Sequence, residues 1–252
     1  MNHDYWNSLA EDYSDQVLEI IDRDLNGVLE EEISVTADSF QKAADLGCGR
    51  GSLLEVLGEN FAEVYAVDYA EGLLEKARRR VSRDNITFIR HNLASSRDLS
   101  FQVGVTFCVN AMISPQFKFR RNIARCVKRV TRKGGVSIFV VPAFESIFNT
   151  YDALLRCESR EGKQRGRAAA RLRRVFEKEV KCPVDGIVDI GGTLTKCYRK
   201  EELEGFLTEI GFEIERIRKV EFSWDEELDH PPEWLKSPYP WDWLVRARKV
   251  SS

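Results

Sequence analysis

The chain has 252 residues, of which 43% are hydrophobic and 31% charged, and its net charge at pH 7 is −3. This composition is typical of a globular protein, and the small net charge gives no whole-chain argument for binding a nucleic acid or a membrane. The acidic residues 1–15 do not resemble a secretory signal, and the longest apolar run, residues 136–144, is shorter than the roughly 20 residues of a membrane span. The six cysteines are scattered without a CxxC pair, so we expect reduced thiols, a cytoplasmic location and no metal site.

After a predicted helical segment at residues 1–37, short strands and helices alternate along the chain. The strands predicted in this part are residues 42–46, 63–67, 86–90, 103–110 and 134–141. Between them, apolar residues recur at helical spacing, as in Leu73, Ala77 and Val81. Such alternation predicts a parallel sheet with helices on both faces, and a ligand site at the edge where the strands end.

Two further strands, residues 212–222 and 241–250, follow a late helix and are expected to form an antiparallel hairpin at one edge of the sheet. We therefore predict an α/β fold: one domain, residues 1–252, with a doubly wound, Rossmann-like and mostly parallel seven-stranded sheet.

The alternation lapses after the fifth strand, where residues 143–190 are predicted to form a basic helical insertion, a lid over the active site. Residues 154–181 hold ten Lys or Arg against four Glu, a net charge of +6. Two interpretations remain open. The insertion is either a solvated lid, or a binding site for an acidic partner such as a carboxylate-bearing metabolite, an acidic protein or an RNA backbone.

The stretch "DLGCGRG" follows the first predicted strand. Gly47, Gly49 and Gly51 form a GxGxG turn into a helix, where glycine permits a positive φ and close approach of a ligand. A P-loop is excluded because no GK[ST] follows, and a dinucleotide fingerprint is disfavoured because its last glycine would fall on Ser52. The turn by itself is a weak signal.

Asp68 ends the second predicted strand. A carboxylate at this position can accept hydrogen bonds from both hydroxyls of a ribose. The alternative is that Asp68 caps the helix that begins near Glu71. Its position beside the glycine turn favours the ligand-binding role.

These motifs together resemble the class I S-adenosylmethionine-dependent methyltransferases. The similarity lies in "ADLGCGRGSLLEVL", "VYAVDYAEGLLEKAR", the opening "DYWNSLAEDYSD" and the later "RNIARCVKRVTRKGGVSIFVVP", and it covers nearly the whole chain except the insertion. The resemblance implies S-adenosylmethionine (SAM) as cofactor and S-adenosylhomocysteine (SAH) as product. The cofactor-binding residues that it implies are Trp6, Tyr13, Asp45, Gly47, Cys48, Gly49, Asp68, Tyr69, Asn92, Leu93, Asn110, Ala111 and Met112.

The resemblance also implies a role for each part of this set. Residues 45–49 would hold the methionyl end, Asp68 the ribose hydroxyls, and Tyr69 would pack on the adenine. Asn92 stands where the family usually has an acid, and its carbonyl oxygen can still accept a hydrogen bond from the adenine amine. Residues 110–112 would face the sulfonium and its methyl group, and the N-terminal aromatic residues would close over the cofactor.

Two positions depart from the family. Gly104 stands where an aspartate is frequent, which puts the local packing of the strand edge in question. The tetrapeptide "NAMI" at residues 110–113 replaces the [ND]PP[YFW] of enzymes that methylate base amines, which argues against that acceptor.

The leading hypothesis is methyl transfer to a small-molecule acceptor by in-line displacement. The alternatives are a protein or RNA methyltransferase that uses the basic insertion, and a non-catalytic SAM-binding protein; a nicotinamide-dependent oxidoreductase is disfavoured by the glycine spacing. His3, His91 and His230 are more typical of packing or surface histidines than of a catalytic base. The sequence assigns no catalytic base, no acceptor and no oligomeric state.

Overall fold

A computed structural model describes residues 20–162 and 164–250. Its strands, in chain order, are β1 (Asp38–Leu46), β2 (Phe61–Asp68), β3 (Ile86–Arg90), β4 (Val103–Val109), β5 (Thr131–Pro142), β6 (Val180–Cys182), β7 (Ile187–Ile190), β8 (Thr193–Lys196), β9 (Phe212–Glu221) and β10 (Trp241–Lys249). Seven of them form one sheet in the order β3-β2-β1-β4-β5-β10-β9. The strands β1 to β5 run parallel, and β10 pairs antiparallel with both β5 and β9. The predicted fold class, including the antiparallel hairpin at the edge, is confirmed.

Helices cover both faces of this sheet. They are α1 (Ile20–Arg23), α2 (Val28–Thr36), α3 (Leu54–Asn60), α4 (Glu71–Arg80), α5 (Phe117–Val130), α6 (Phe144–Arg160), α7 (Arg165–Glu179) and α8 (Lys200–Ile210). On one face, α5 and α8 bury Val127, Leu203 and Leu207. On the other face, Leu57 of α3 and Leu74 of α4 are fully buried. Each fully buried leucine stabilises the fold by about 1.5–3 kcal/mol relative to an exposed one, so these helical stripes hold the layers together.

Gly104 lies in β4, next to β1. A Cβ atom on it would come within 1.5 Å of the Oε1 atom of Gln41. Gln41 Oε1 in turn accepts a hydrogen bond of 2.8 Å from Arg132 Nη2. The side chain of Gln41 thus occupies the space that a Cβ atom at position 104 would need.

The insertion contains more than helices. Helices α6 and α7 pack against each other over residues 144–179, and β6, β7 and β8 then form a separate three-stranded antiparallel sheet. This small sheet contacts the segment that follows β4, because Lys196 N donates to Ile113 O over 2.8 Å. Close by, the Tyr198 hydroxyl donates to Met112 O over 2.7 Å. The insertion therefore stands at the edge of the main sheet where β4 ends.

In the described ranges, no helix is both long and apolar enough to span a bilayer. All six cysteines fall within these ranges, and none of them forms a disulfide.

Candidate functional site

A cavity of about 110 Å³ lies where the parallel strands end. It is centred on β1 and its neighbours β2 and β4, where the strand order reverses and where ligands of such folds bind. Its lining consists of Gly47, Asp68, Tyr69, Leu73, His91, Asn92, Leu93, Ala94, Val109, Asn110, Ala111 and Ile123.

The glycine turn forms one wall of the cavity. Gly47 has a φ of +89°, and a Cβ atom there would lie 2.5 Å from the Cβ of Ala111. The N–H groups of Gly47 and Cys48 both donate to Val67 O, over 2.8 and 3.0 Å, which ties the turn to the end of β2. Only glycine satisfies both the backbone conformation and the close approach of Ala111.

Asp68 joins this turn to the start of α4. Its Oδ2 atom accepts from Gly49 N over 3.0 Å, and Oδ1 accepts from Ala70 N over 2.9 Å. The N-cap position of α4 is Ala70, so Asp68 is not the helix cap. Burial raises the pKa of Asp68, and the backbone N–H donors oppose that shift. A carboxylate has about four lone-pair sites, so Asp68 can still accept a hydrogen bond from a ligand at the cavity.

Asp45 and Cys48 lie behind the cavity wall and do not line it. Burial, followed by the charge of Asp68, raises the pKa of Asp45 from 3.8 to about 7. Burial and the two aspartates also raise the pKa of the Cys48 thiol well above its ordinary value. Cys48 is therefore a buried neutral thiol, not an activated nucleophile.

Residues after β3 form the side of the cavity opposite the glycine turn. His91 N donates to Asp68 O over 2.8 Å, which fixes this loop to β2. The Oδ1 atom of Asn92 accepts from Ala94 N over 2.9 Å. The sequence analysis assigned this oxygen to the adenine amine. Because it already accepts one hydrogen bond within the protein, it has one lone pair left for a ligand.

Asn110, directly after β4, has the unusual φ of +49°. Its backbone N–H donates to Val140 O over 2.9 Å. The side-chain Oδ1 is buried and has no hydrogen-bond partner among the described residues. An unpaired acceptor in a strained backbone position is typical of a functional site.

Asp242 is a buried acid next to Asn110 that the sequence analysis did not single out. It is 6% exposed, and burial raises its pKa from 3.8 to about 7. The Asn110 side chain and the backbone N–H of Ala143 oppose that shift. The signal was present in the sequence, because this aspartate stands between two tryptophans in the apolar run of a predicted strand.

The structure brings seven of the predicted site residues to one cavity: Gly47, Asp68, Tyr69, Asn92, Leu93, Asn110 and Ala111. Four others lie behind it, namely Asp45, Cys48, Gly49 and the fully buried Met112, whose side chain belongs to the core. Trp6 and Tyr13 lie outside the described residues. The lining residues that the sequence analysis did not predict are Leu73, His91, Ala94, Val109 and Ile123.

Comparison with known proteins agrees with this geometry. Residues 43–135, which run from the second half of β1 to the start of β5, match the family model of a methyltransferase domain. No curated protein matches the chain.

Many solved structures share the fold. A SAM-dependent methyltransferase from Methanosarcina mazei is 17% identical, the match covers 91% of this chain and 100% of that one, and the TM-score is 0.62. The DhpI–SAH complex is 15% identical, with 99% and 96% covered and a TM-score of 0.64. Magnesium protoporphyrin IX methyltransferase from Synechocystis PCC 6803 with bound SAH is also 15% identical, with 98% and 97% covered and a TM-score of 0.58.

Proposed function

We propose that this chain, a class I S-adenosylmethionine-dependent methyltransferase by its family domain and its fold, transfers the methyl group to a small-molecule acceptor. The observation that carries the cofactor assignment is Asp68. Its carboxylate is held by two backbone N–H donors at the tip of β2 and lines the cavity. Such a carboxylate suits the two hydroxyls of a ribose.

The rest of the cavity supports the same cofactor. Because Gly47 has no side chain, the glycine turn can lie close to Ala111 and to a ligand in the cavity; a Cβ atom at Gly47 would collide with Ala111. The half-buried ring of Tyr69 lies next to Asp68, where it can pack on a flat base, and Leu93 supplies a buried apolar contact. When bound, SAM supplies a methyl group that is already activated by the sulfonium. The task left to these residues is to bind and orient, and alignment alone can contribute about 7–11 kcal/mol to lowering the barrier.

A small-molecule acceptor is supported by the position of the insertion. The small sheet β6–β8 is hydrogen-bonded to the segment after β4. We propose that residues 143–196 border the acceptor side of the cavity, as a lid. A lid that narrows the approach favours small acceptors over large ones. The scattered, unpaired cysteines agree with a cytoplasmic setting.

The basic surface of α7 supports a second candidate, methylation of a protein or an RNA. Arg165, Arg167 and Arg174 are exposed on this helix. Beside them, a groove between α6 and α7 is lined by aromatic and aliphatic side chains, among them Phe148 and Phe176. An acidic macromolecule could bind here while its acceptor group reached the cavity.

The cofactor assignment predicts that Asp68→Asn weakens SAM binding about 10- to 100-fold, because one or two hydrogen bonds to a charged group are lost. Calorimetric titration of SAM, SAH and NADH measures this, with the exposed Asp84→Asn as the matched control. We expect SAM and SAH to bind and NADH not to bind. Unchanged SAM affinity in Asp68→Asn would disprove the ribose assignment.

The acceptor assignment predicts where the methyl group goes. Cell extract is separated into metabolite, protein and RNA fractions, and each is incubated with the enzyme and methyl-labelled SAM. We expect label in the metabolite fraction, and the same transfer rate when Arg165 and Arg167 are both replaced by Glu. Label in protein or RNA that disappears in this double variant would instead establish the second candidate.

A further inference from the structure

The insertion exposes large apolar side chains to solvent. Val184, in the turn between β6 and β7, is 75% exposed. Ile190 and Leu194, on either side of the turn between β7 and β8, are 47% and 43% exposed, and Phe148 of α6 is 50% exposed. Four of the ten large hydrophobic side chains that are exposed in the described ranges therefore lie in residues 143–196. Such a concentration of exposed apolar groups indicates an interaction surface.

An apolar groove between α6 and α7 belongs to the same part of the molecule. It has a volume of about 260 Å³, and its large apolar side chains are Phe148, Tyr151, Leu155, Leu172 and Phe176. Phe176 also packs against the apolar cluster that contains Val180 of β6 and Val188 of β7, so the groove and the small sheet form one packed unit. Asp152, the acid in the groove lining, is paired with Arg156 over 3.1 Å, which offsets its charge.

Cationic side chains lie beside this groove. Helix α7 carries six Lys or Arg against two Glu, and residues 154–181 have a net charge of +6 although the whole chain has −3. Arg165 stands four residues before Ala169 of the groove lining, on the same face of the helix. Arg165, Arg167 and Arg174 are exposed and form no ion pair in the described ranges. These guanidinium groups can therefore bind an acidic partner outside the chain.

We infer that this surface docks on an anionic lipid bilayer. The arginines of α7 bind the phosphate groups of the lipids, and the apolar side chains of the groove and of the two turns insert into the interface below them. A basic helix with exposed apolar groups beside it is typical of proteins that lie on a membrane without spanning it. The inference goes beyond the proposed function, because docking requires neither SAM nor methyl transfer.

Other partners suit the charge of α7 but not the exposed apolar groups. RNA binds arginines through its phosphates and aromatic rings through its bases, whereas Val184, Ile190 and Leu194 are aliphatic. An acidic protein requires a closely packed apolar interface, whereas these three side chains stand on separate turns at the two ends of β7. The soft interface of a bilayer accommodates such separate groups. A second copy of the chain would bring two basic surfaces together.

The test is flotation of the whole protein with vesicles of phosphatidylcholine alone or with about 30% phosphatidylglycerol, at low and at high salt. We expect binding to the anionic vesicles only, and release at high salt because salt screens the charges. Replacing Arg165 and Arg167 by Gln should weaken binding about 10- to 30-fold, since each arginine near the surface contributes about fivefold. Replacing Val184 and Ile190 by Ser should weaken it about tenfold or more.

Two matched controls lie outside the insertion. Arg79→Gln changes an exposed arginine of α4, and Val35→Ser changes a valine of α2 that is 58% exposed. Both should bind vesicles like the unaltered protein, and circular dichroism verifies that every variant is folded.

The inference is wrong if the protein binds neither kind of vesicle, or binds both equally. It is also wrong if the arginine variant loses binding while the Val184 and Ile190 variant keeps it, because charge alone would then explain the attachment. RNA and polyglutamate are added as competitors. If either binds through the same arginines more tightly than the anionic vesicles do, the surface serves that partner and not a membrane. The assay contains no SAM, so its failure leaves the proposed function standing, and failure of methyl transfer leaves this result standing.

Discussion

At the scale of single residues, the candidate site consists of polar side chains that are held in place by the protein and can still bind a ligand in the cavity. Asp68 binds two backbone N–H groups and keeps lone pairs at the cavity. Asn110 lines the cavity with a φ of +49°, and its buried Oδ1 has no hydrogen-bond partner among the described residues. Asp68 was predicted from its position at the end of the second strand, and Asn110 from the resemblance to the methyltransferase family. The sequence shows an acid between two tryptophans of a predicted strand, but only the pairing of β10 with β5 places Asp242 beside Asn110.

The glycine turn offers a test of how closely the cavity wall is packed. In Gly47→Ala, the φ of +89° costs about 1–2 kcal/mol and the contact with Ala111 about 1–3 kcal/mol more. The matched control is Gly192→Ala, which has a φ of +85° but no atom within 4 Å of the new Cβ. Urea denaturation should therefore show a larger loss in Gly47→Ala than in Gly192→Ala. Equal losses would mean that Ala111 moves aside freely.

At the scale of elements, the main strands were predictable and the small sheet was not. Alternating apolar runs predicted the seven strands of the main sheet, although β1 begins four residues earlier than expected, at Asp38, and β5 three residues earlier, at Thr131. Strands β6 to β8 have only three or four residues each, and β6 and β7 lie in the segment 143–190 that was expected to be helical, whereas β8 follows it. Such short strands carry too little pattern to be recognised, and tertiary contacts with the segment after β4 help to hold them.

At the scale of the whole molecule, the predicted fold is confirmed, and residues 43–135 match the family model of a methyltransferase domain. The strand order explains why the sequence could predict where the site lies although it could not predict every contact in it. The parallel strands β1 to β4 end at one edge of the sheet, so residues 47, 68, 92 and 110 meet there although the chain separates them widely. The contribution of β10 and of the insertion depends on long-range packing that no local pattern encodes.

The same packing predicts an unusual pH dependence of stability. Burial raises the pKa values of Asp45 and Asp242 from 3.8 to about 7. Between pH 3.8 and about pH 7, the folded protein therefore binds more protons at both sites than the unfolded chain does. The free energy of unfolding contributed by each site therefore falls as the pH rises from about 4 to 7 and is constant above that range. A shift of about three pKa units corresponds to roughly 4 kcal/mol for one group.

Asp242→Asn isolates one of these two contributions. At pH 4 the variant should be about as stable as the unaltered protein, because both then carry a neutral side chain at position 242. At pH 8 the variant should be more stable, by about 1–4 kcal/mol, because it no longer buries a charge. Urea denaturation at pH 4, 6 and 8 measures this, with Asp229→Asn as the exposed control. A constant difference between the variant and the unaltered protein across these pH values would show that Asp242 is ionised throughout. The expected gain in stability would show that the protein does not retain the buried charge of Asp242 for the stability of its fold.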